Sequence, residues 1–144
     1  MNKKRGVTIV VIALAVVIMF IILTTATIVG SRNIDTVNYE EFMSQLSRVS
    51  DSVNEYIVKN EEIPTTYEVV AKVGLTENLR NEITQNGDLN NNLYVIDMTK
   101  LNVNNVSKGN GNVSDRDVFL VAENTNNVYY YKGYKFRGTV YYGV

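Results

Sequence analysis

The chain contains no cysteine, no histidine and no tryptophan, and its single proline is Pro64. Without cysteine and histidine, disulfide frameworks, thiolate and imidazole metal sites and every nucleophile–histidine catalytic arrangement are excluded. The usual side chains for acid–base chemistry near neutral pH are therefore missing. No P-loop, dinucleotide-binding fingerprint or paired-carboxylate site is present in their place. We therefore expect a protein that is not an enzyme and holds no cofactor.

Neither sign of charge dominates the chain, which has 14 Lys and Arg against 15 Asp and Glu for a net charge of −1. The charges are nevertheless distributed unevenly. Residues 33–97 hold 12 acids and 4 bases, whereas residues 128–144 hold 3 bases and no acid. A subunit that is acidic in one part and basic in another suits side-by-side packing with copies of itself.

One long hydrophobic run is present at residues 7–29, with 23 residues and no charge, Gly, Pro, Asn or Gln. As a helix it would span about 34 Å, which exceeds the hydrocarbon core of a bilayer at about 30 Å. The remaining 114 residues, 31–144, are enough for one domain that folds by itself. The sequence thus predicts one membrane-spanning helix followed by a water-soluble domain.

The charges around this run predict its orientation. Lys3, Lys4 and Arg5 precede it without an acid, whereas Arg32 is soon followed by Asp35. The positive-inside bias places the N-terminus in the cytoplasm and the domain outside the cell. A removable secretory signal peptide is the alternative, but its apolar region is normally shorter and ends in an A-x-A-like site. The stretch 24–27 (TTAT) is a poor site of that kind.

A second, amphipathic helix is predicted over residues 33–60. Apolar side chains recur there at spacings of three and four residues, with polar side chains on the opposite face, and Pro64 marks the end. Such a stripe also suits a coiled-coil seam, but it covers under three heptads and includes tyrosine, so we expect it to face the domain core. The stripe comprises Tyr39, Phe42, Leu46, Val49, Val53 and Tyr56, widened by Met43 and Ile57.

The remainder of the chain predicts short helices and a C-terminal antiparallel sheet. Thr66 and Thr76 are expected to cap helices over residues 67–73 and 77–83, the first ending at Gly74. Apolar runs separated by turn residues predict a strand at 93–97 and an antiparallel meander at 118–122, 128–132 and 139–142. The fold class is therefore α+β, with a long N-terminal helix, half membrane-spanning and half amphipathic, packed on a small sheet.

The loop before this meander is rich in oxygen ligands that suit a hard cation such as calcium. Only two of its candidate side chains are charged and the EF-hand pattern is absent, so a solvated turn is the default interpretation. The candidates for a calcium site are Asn110, Asn112, Asp115 and Asp117, with Ser114 between them.

Tyrosine is concentrated at the C-terminus, where six of the ten lie within the last 16 residues, interleaved with three bases. Basic aromatic strands can bind single-stranded nucleic acid by stacking. Alternation along a strand, however, sends every second side chain into the core. We therefore expect core packing and subunit contact there, with no nucleic-acid partner; a glycan or host surface is the remaining alternative. The tyrosines are Tyr129, Tyr130, Tyr131, Tyr134, Tyr141 and Tyr142, and the bases are Lys132, Lys135 and Arg137.

The first ten residues resemble the leader of type IV prepilins. Lys3, Lys4 and Arg5 are followed by Gly6 and then by the apolar VTIV at residues 7–10. In that family a short basic leader ends in Gly and is removed on the cytoplasmic side. The resemblance implies cleavage between Gly6 and Val7 by a prepilin peptidase, after which the apolar helix becomes the mature N-terminus.

The C-terminal third carries a second, independent resemblance. LYVIDMTKLNV at 93–103 and DVFLVAENTNNVYYYKGYKFRGTVYYGV at 117–144 look like the C-terminal sheet of pilin-like proteins of Firmicutes. The chain departs from the family at two mature positions, with Val7 in place of Phe or Met and Val11 in place of Glu. That Glu neutralises the amine of a neighbouring subunit during assembly, which Val11 cannot do.

Together the two resemblances imply a minor pilin or pseudopilin of a type IV pilus-like or type II secretion-like filament. The implied partners are copies of itself or other pilins, the prepilin peptidase, an inner-membrane assembly platform and, before assembly, membrane lipid. The alternative is a membrane-anchored extracellular binding domain that does not polymerise. The implied segments are a leader (1–6), a membrane and fibre-core helix (7–30), its amphipathic continuation (31–62) and a globular head (63–144).

Overall fold

The computed structural model describes residues 34–143 of the chain. Within the described residues, the chain from Tyr39 onward belongs to one compact unit. Residues 39–143 are called the sheet domain below. Among residues 34–143 none of the helices has the length and apolar character that crossing a bilayer requires. The predicted membrane span at residues 7–29 lies outside the described residues.

The sheet domain is built around a five-stranded antiparallel sheet in which every strand pairs with its neighbour in sequence. This confirms the α+β class and the predicted C-terminal meander. The structure joins the strand predicted at 93–97 to this meander and adds β1, which was not predicted, at the edge. The helices are α1 (residues 34–60) and α2 (Glu77–Gln85), and the strands are β1 (Thr65–Val69), β2 (Leu93–Ile96), β3 (Phe119–Ala122), β4 (Val128–Phe136) and β5 (Thr139–Gly143).

Helix α1 covers one face of the sheet with the predicted apolar stripe. Phe42, Leu46, Val49 and Val53 are at most 1% exposed, and they pack against side chains of β2, β3 and β4. Aromatic contacts extend this packing along the helix, with the Phe42 ring 4.8 Å from that of Tyr134. The stripe is therefore core, as predicted, and not a coiled-coil seam.

The opposite face of the sheet is covered by α2 and the segments around it. Thr76 caps α2 as predicted, because its side chain accepts a hydrogen bond from the Leu79 N–H at 3.4 Å. Leu79 and Ile83 are fully buried against strand residues that include Leu93 and Tyr142. The centre of the sheet is consequently covered on both faces, and all four residues of β3 are buried, whereas most of the edge strand β1 is exposed.

The prediction of a helix over residues 67–73 is wrong. That segment instead forms β1 and a 3-10 turn at Lys72–Gly74, and β1 pairs with β2 through Thr65 and Val69. Pairing with the free edge of β2 satisfies backbone groups that a short isolated helix would leave open, and β1 (TTYEV) holds two Thr and a Val, which favour strands. Pairing with residues 25 and 31 positions away therefore outweighs the local capping signals.

Candidate functional site

The residues implicated in processing lie outside the described residues. They are Lys3, Lys4 and Arg5 of the leader, Gly6 and Val7 at the predicted cleavage site, and Val11 at the position of the missing Glu. Each of these assignments stays a prediction, and the surfaces described below belong to the sheet domain.

The oxygen-rich loop proposed for calcium is held mainly by Asp117. The Asp117 carboxylate accepts hydrogen bonds from the Gly109 N–H at 2.8 Å and the Tyr130 hydroxyl at 2.7 Å. The Asn110 side chain donates to the Val106 carbonyl at 3.2 Å, so it also serves the loop itself. Asn112 precedes a 3-10 turn at Val113–Asp115, and Asp115 and Ser114 are exposed. In residues 34–143 no group of three or more acidic side chains is arranged to hold a metal ion.

The Asp117–Tyr130 contact shifts both pKa values. Burial by itself raises the pKa of Asp117, but the bonds from Tyr130 and Gly109 and the nearby cations Lys132 and Lys108 bring it below its ordinary value. Burial and the bond to Asp117 both raise the pKa of Tyr130. The pair thus holds an ionised carboxylate against the neutral phenol of Tyr130, whose ring packs on the α1 face.

A second carboxylate–tyrosine pair lies on the other face of the sheet. Asp88 is 0% exposed and accepts a hydrogen bond of 2.6 Å from the Tyr129 hydroxyl. Burial raises its pKa, but its hydrogen bonds outweigh burial and leave the pKa below the ordinary value. Burial, followed by the bond to Asp88, raises the pKa of Tyr129. The further donors to Asp88 are Thr125, Asn91 and Asn127.

The C-terminal tyrosines pack into the apolar clusters on the two faces of the sheet. Tyr129, Tyr131 and Tyr142 are buried on the α2 face, and Tyr130 is buried on the α1 face. Tyr134 and Tyr141 are partly buried and also pack against the α1 face. Alternation predicts that every second side chain is buried, but because both faces are covered along the first half of β4, its adjacent tyrosines at 129–131 are all buried.

The hairpin joining β4 to β5 has a tight basic tip, formed by residues 135–138 and called the hairpin tip below. Arg137 and Gly138 both have positive φ, 49° and 82°, which is typical of a type I′ turn. Arginine is unusual at the first of these positions, where the left-handed conformation costs about 1–2 kcal/mol. Lys135 and Arg137 are exposed, and within residues 34–143 neither makes an ion pair.

A shallow groove of about 210 Å³ carries the opposite charge and is called the acidic groove below. Its two carboxylates are only partly used, since Glu62 accepts from the Tyr56 hydroxyl at 2.8 Å and Glu123 from the Asn92 amide at 2.9 Å. Each bond uses one oxygen of the carboxylate. The groove is lined by Glu62, Ile63, Thr65, Tyr67, Tyr94 and Glu123.

Tyr67 is the most unusual residue of the acidic groove. It has a φ of 66° and is 73% exposed, so an aromatic side chain is kept in a left-handed conformation without being buried. Lys100 lies 5.4 Å from the centre of its ring and donates to the Thr65 carbonyl at 3.3 Å. Strained, exposed side chains of this kind are concentrated at functional surfaces.

The hairpin tip and the acidic groove lie at opposite ends of the sheet domain. Phe136 of the tip stacks on Tyr39 with ring centres 4.4 Å apart, whereas Glu62 of the groove contacts Tyr56. These two tyrosines are 17 positions apart along α1, which corresponds to about 25 Å. Strand β4 gives the same result, because it separates Glu123 from Arg137 by about 30 Å.

Sequence reasoning missed both Asp88 and the acidic groove. Asp88 lies in an Asn-rich stretch that resembles any surface loop. Its donors come from two loops distant in sequence, since Asn91 precedes β2 and Thr125 follows β3. The groove joins residues up to 61 positions apart, so no local pattern marks it. The hairpin tip was marked by its excess of basic and aromatic residues.

Comparison of the chain with protein-family models, with curated proteins and with solved structures gives no match.

Proposed function

We propose that the chain is a structural subunit, a minor pilin or pseudopilin, of a type IV pilus-like or type II secretion-like filament. It is inserted as a single-span membrane protein, with its N-terminus in the cytoplasm and its sheet domain outside. A prepilin peptidase cleaves after Gly6, and residues 7–29 then bundle with those of neighbouring subunits in the core of the filament. Its function is mechanical.

The observation that carries this proposal is the order of the segments. A basic leader ending in Gly6 precedes an apolar run, and soon after that run α1 lays a stripe of apolar residues on an antiparallel meander. A signal anchor alone explains the first two segments. It does not explain why the next helix forms one layer of the domain, which is the arrangement that the resemblance to pilins implies.

Measuring the N-terminus tests the proposal. In native cells the intact mass is expected to correspond to a chain that starts at Val7, with a methylated amine. Gly6→Ala is expected to block cleavage, because the peptidase needs a residue that lies extended without side-chain bulk. Gly30→Ala is the matched control and should leave cleavage unchanged. A mature chain that still starts at Met1 would contradict the proposal.

A monomeric anchored binding domain is the second candidate, and Val11 is the observation that favours it. An apolar residue there cannot pair with the amine of a neighbouring subunit, so one driving force for assembly is missing. Shearing cells and sedimenting the released material distinguishes the two. A filament subunit sediments with the sheared fraction, whereas an anchored monomer remains with the membranes.

A further inference from the structure

We propose that copies of this chain contact each other end to end, with the hairpin tip of one copy seated in the acidic groove of the next. This rests on the proposed filament and names the contact between neighbouring sheet domains. The occupant of the groove is thus a second copy of the chain.

The chemistry of the two surfaces is complementary. Arg137 stacks on Phe136, with its guanidinium carbon 4.9 Å from the ring centre, and within residues 34–143 it makes no hydrogen bond with its guanidinium donors. Glu62 and Glu123 each keep a carboxylate oxygen unused. Guanidinium groups bind carboxylates through paired hydrogen bonds and pack on tyrosine rings, and Tyr67 and Tyr94 line the groove.

The positions of the two surfaces favour a chain of copies over a closed pair. The tip and the groove lie about 25 Å apart along α1, at opposite ends of the sheet domain. A contact between two different surfaces of the same subunit continues from copy to copy and generates open helical assemblies or rings. Within a filament held by apolar helices, this contact would fix the register of neighbouring domains.

The charges of the two surfaces favour a second copy of the chain as the occupant of the groove. Residues 128–144 carry 3 bases and no acid, whereas the groove presents two carboxylates with Lys100 at its margin. Exposed ion pairs are individually weak and are screened beyond about 10 Å at 0.1 M salt. The contact therefore sets specificity and register once subunits are held side by side, and it needs no strong affinity of its own.

Cross-linking tests the contact directly, since the chain has no native cysteine. In the full-length double variant Glu62→Cys/Arg137→Cys, a short bismaleimide cannot bridge the two thiols within one chain. End-to-end contact predicts a ladder of dimers, trimers and longer species on a denaturing gel of filaments. Each single-cysteine variant should give no species beyond a dimer.

A control variant places the second cysteine elsewhere. Glu62→Cys/Arg80→Cys keeps the groove position and moves the other thiol to the exposed Arg80 of α2. It should give no ladder. A ladder of equal strength from this control, or no ladder from the test variant in filaments that do form, overturns the contact.

Charge exchange supplies a second measurement. Arg137→Glu is expected to lower the yield of sheared filaments about fivefold, because a like-charge contact then repeats at every subunit. Adding Glu123→Arg to the same chain should restore the yield, whereas Arg80→Glu alone should leave it unchanged.

The two proposals fail in different ways. Filaments that are processed and assembled normally, but are indifferent to Arg137→Glu, overturn the contact and leave the proposed function standing. Recovery of the unaltered chain as an uncleaved monomer overturns the proposed function, and the end-to-end contact with it.

Discussion

The two faces of the sheet are stabilised by different means, although two adjacent residues of β4 point into them. Tyr130 faces α1 and binds Asp117, whereas Tyr129 faces α2 and binds Asp88. On the α1 face a helix of 27 described residues supplies a continuous apolar stripe. On the α2 face a helix of 9 residues is supplemented by a buried carboxylate that ties two loops together.

The difference shows what a short helix requires. A long amphipathic helix brings enough apolar area to cover a sheet, so its polar partner Asp117 can sit at the margin. Helix α2 covers less, and the loops beside it must be held by hydrogen bonds to Asp88. We therefore expect hydrophobic truncation to be most damaging on the α1 face and loss of a carboxylate on the α2 face.

The largest expected loss of stability comes from truncating buried apolar side chains. Phe42→Ala should reduce the free energy of unfolding by about 4 kcal/mol and Leu79→Ala by about 3 kcal/mol, because both side chains are fully buried. Urea unfolding of the full chain in detergent, followed by circular dichroism, measures both. Val58→Ala, at a position 83% exposed, is the control and should change stability by less than about 0.5 kcal/mol. A larger loss for Leu79→Ala would reverse the proposed order of the two faces.

Loss of a carboxylate should cost more on the α2 face than on the α1 face, which reverses the order expected for apolar truncation. Asp88→Ala is expected to cost about 3 kcal/mol, since it leaves the buried Tyr129 hydroxyl and three part-buried donors without their acceptor, and Asp117→Ala about 2 kcal/mol. Asp88 has four side-chain donors, whereas Asp117 has one side-chain and one backbone donor. The same unfolding measurement applies, with the exposed Asp115→Ala as the control. Equal losses at Asp88 and Asp117 would show that the α2 face needs no special support.

The two tyrosine hydroxyls are expected to contribute less. Tyr129→Phe and Tyr130→Phe should each cost about 1 kcal/mol at pH 7, the net value of one hydrogen bond. Their raised pKa values add a pH dependence. This stabilisation is complete below the unfolded pKa of about 10 and is lost as pH rises through the folded value. Unfolding midpoints at pH 7 and pH 11 should therefore differ less in each Phe variant than in the unaltered protein.

The smallest expected effect is on the loss of stability at acid pH. Because the pKa values of Asp88 and Asp117 are lowered, their stabilisation is present above the unfolded value of about 3.9 and is lost as pH falls through the folded value. Asp88→Asn and Asp117→Asn should each lose less stability than the unaltered protein between pH 7 and pH 3. A loss as large as in the unaltered protein would contradict the assignment, and urea midpoints at the two pH values measure it.

Much of the sheet domain could be predicted from local pattern. The spacing of Phe42, Leu46 and Val49 predicts a helix with one buried face, and the apolar runs before and after the ENTNN turn at 123–127 predict β3 and β4. Segment 67–73 could not be predicted in this way. Its capping signals are local, whereas its pairing with β2 depends on residues that the chain brings back only after α2.

The two candidate surfaces also differ in how far the sequence predicts them. The basic hairpin tip is contiguous in sequence, so its charge can be recognised from the sequence alone. The acidic groove and the Asp88 hydrogen bonds join residues separated by 61 and up to 41 positions, which no periodicity can reveal.

The sequence by itself determined the hydrophobic run, the amphipathic stripe, the meander and the uneven distribution of charge, because these depend on spacing and composition along the chain. Only the tertiary structure decided that the sheet is covered on both faces, that residues 65–69 pair with its edge, and that Asp88 is buried. The physical reason is that burial and hydrogen bonding are satisfied by whichever partners the fold brings together, however distant in sequence.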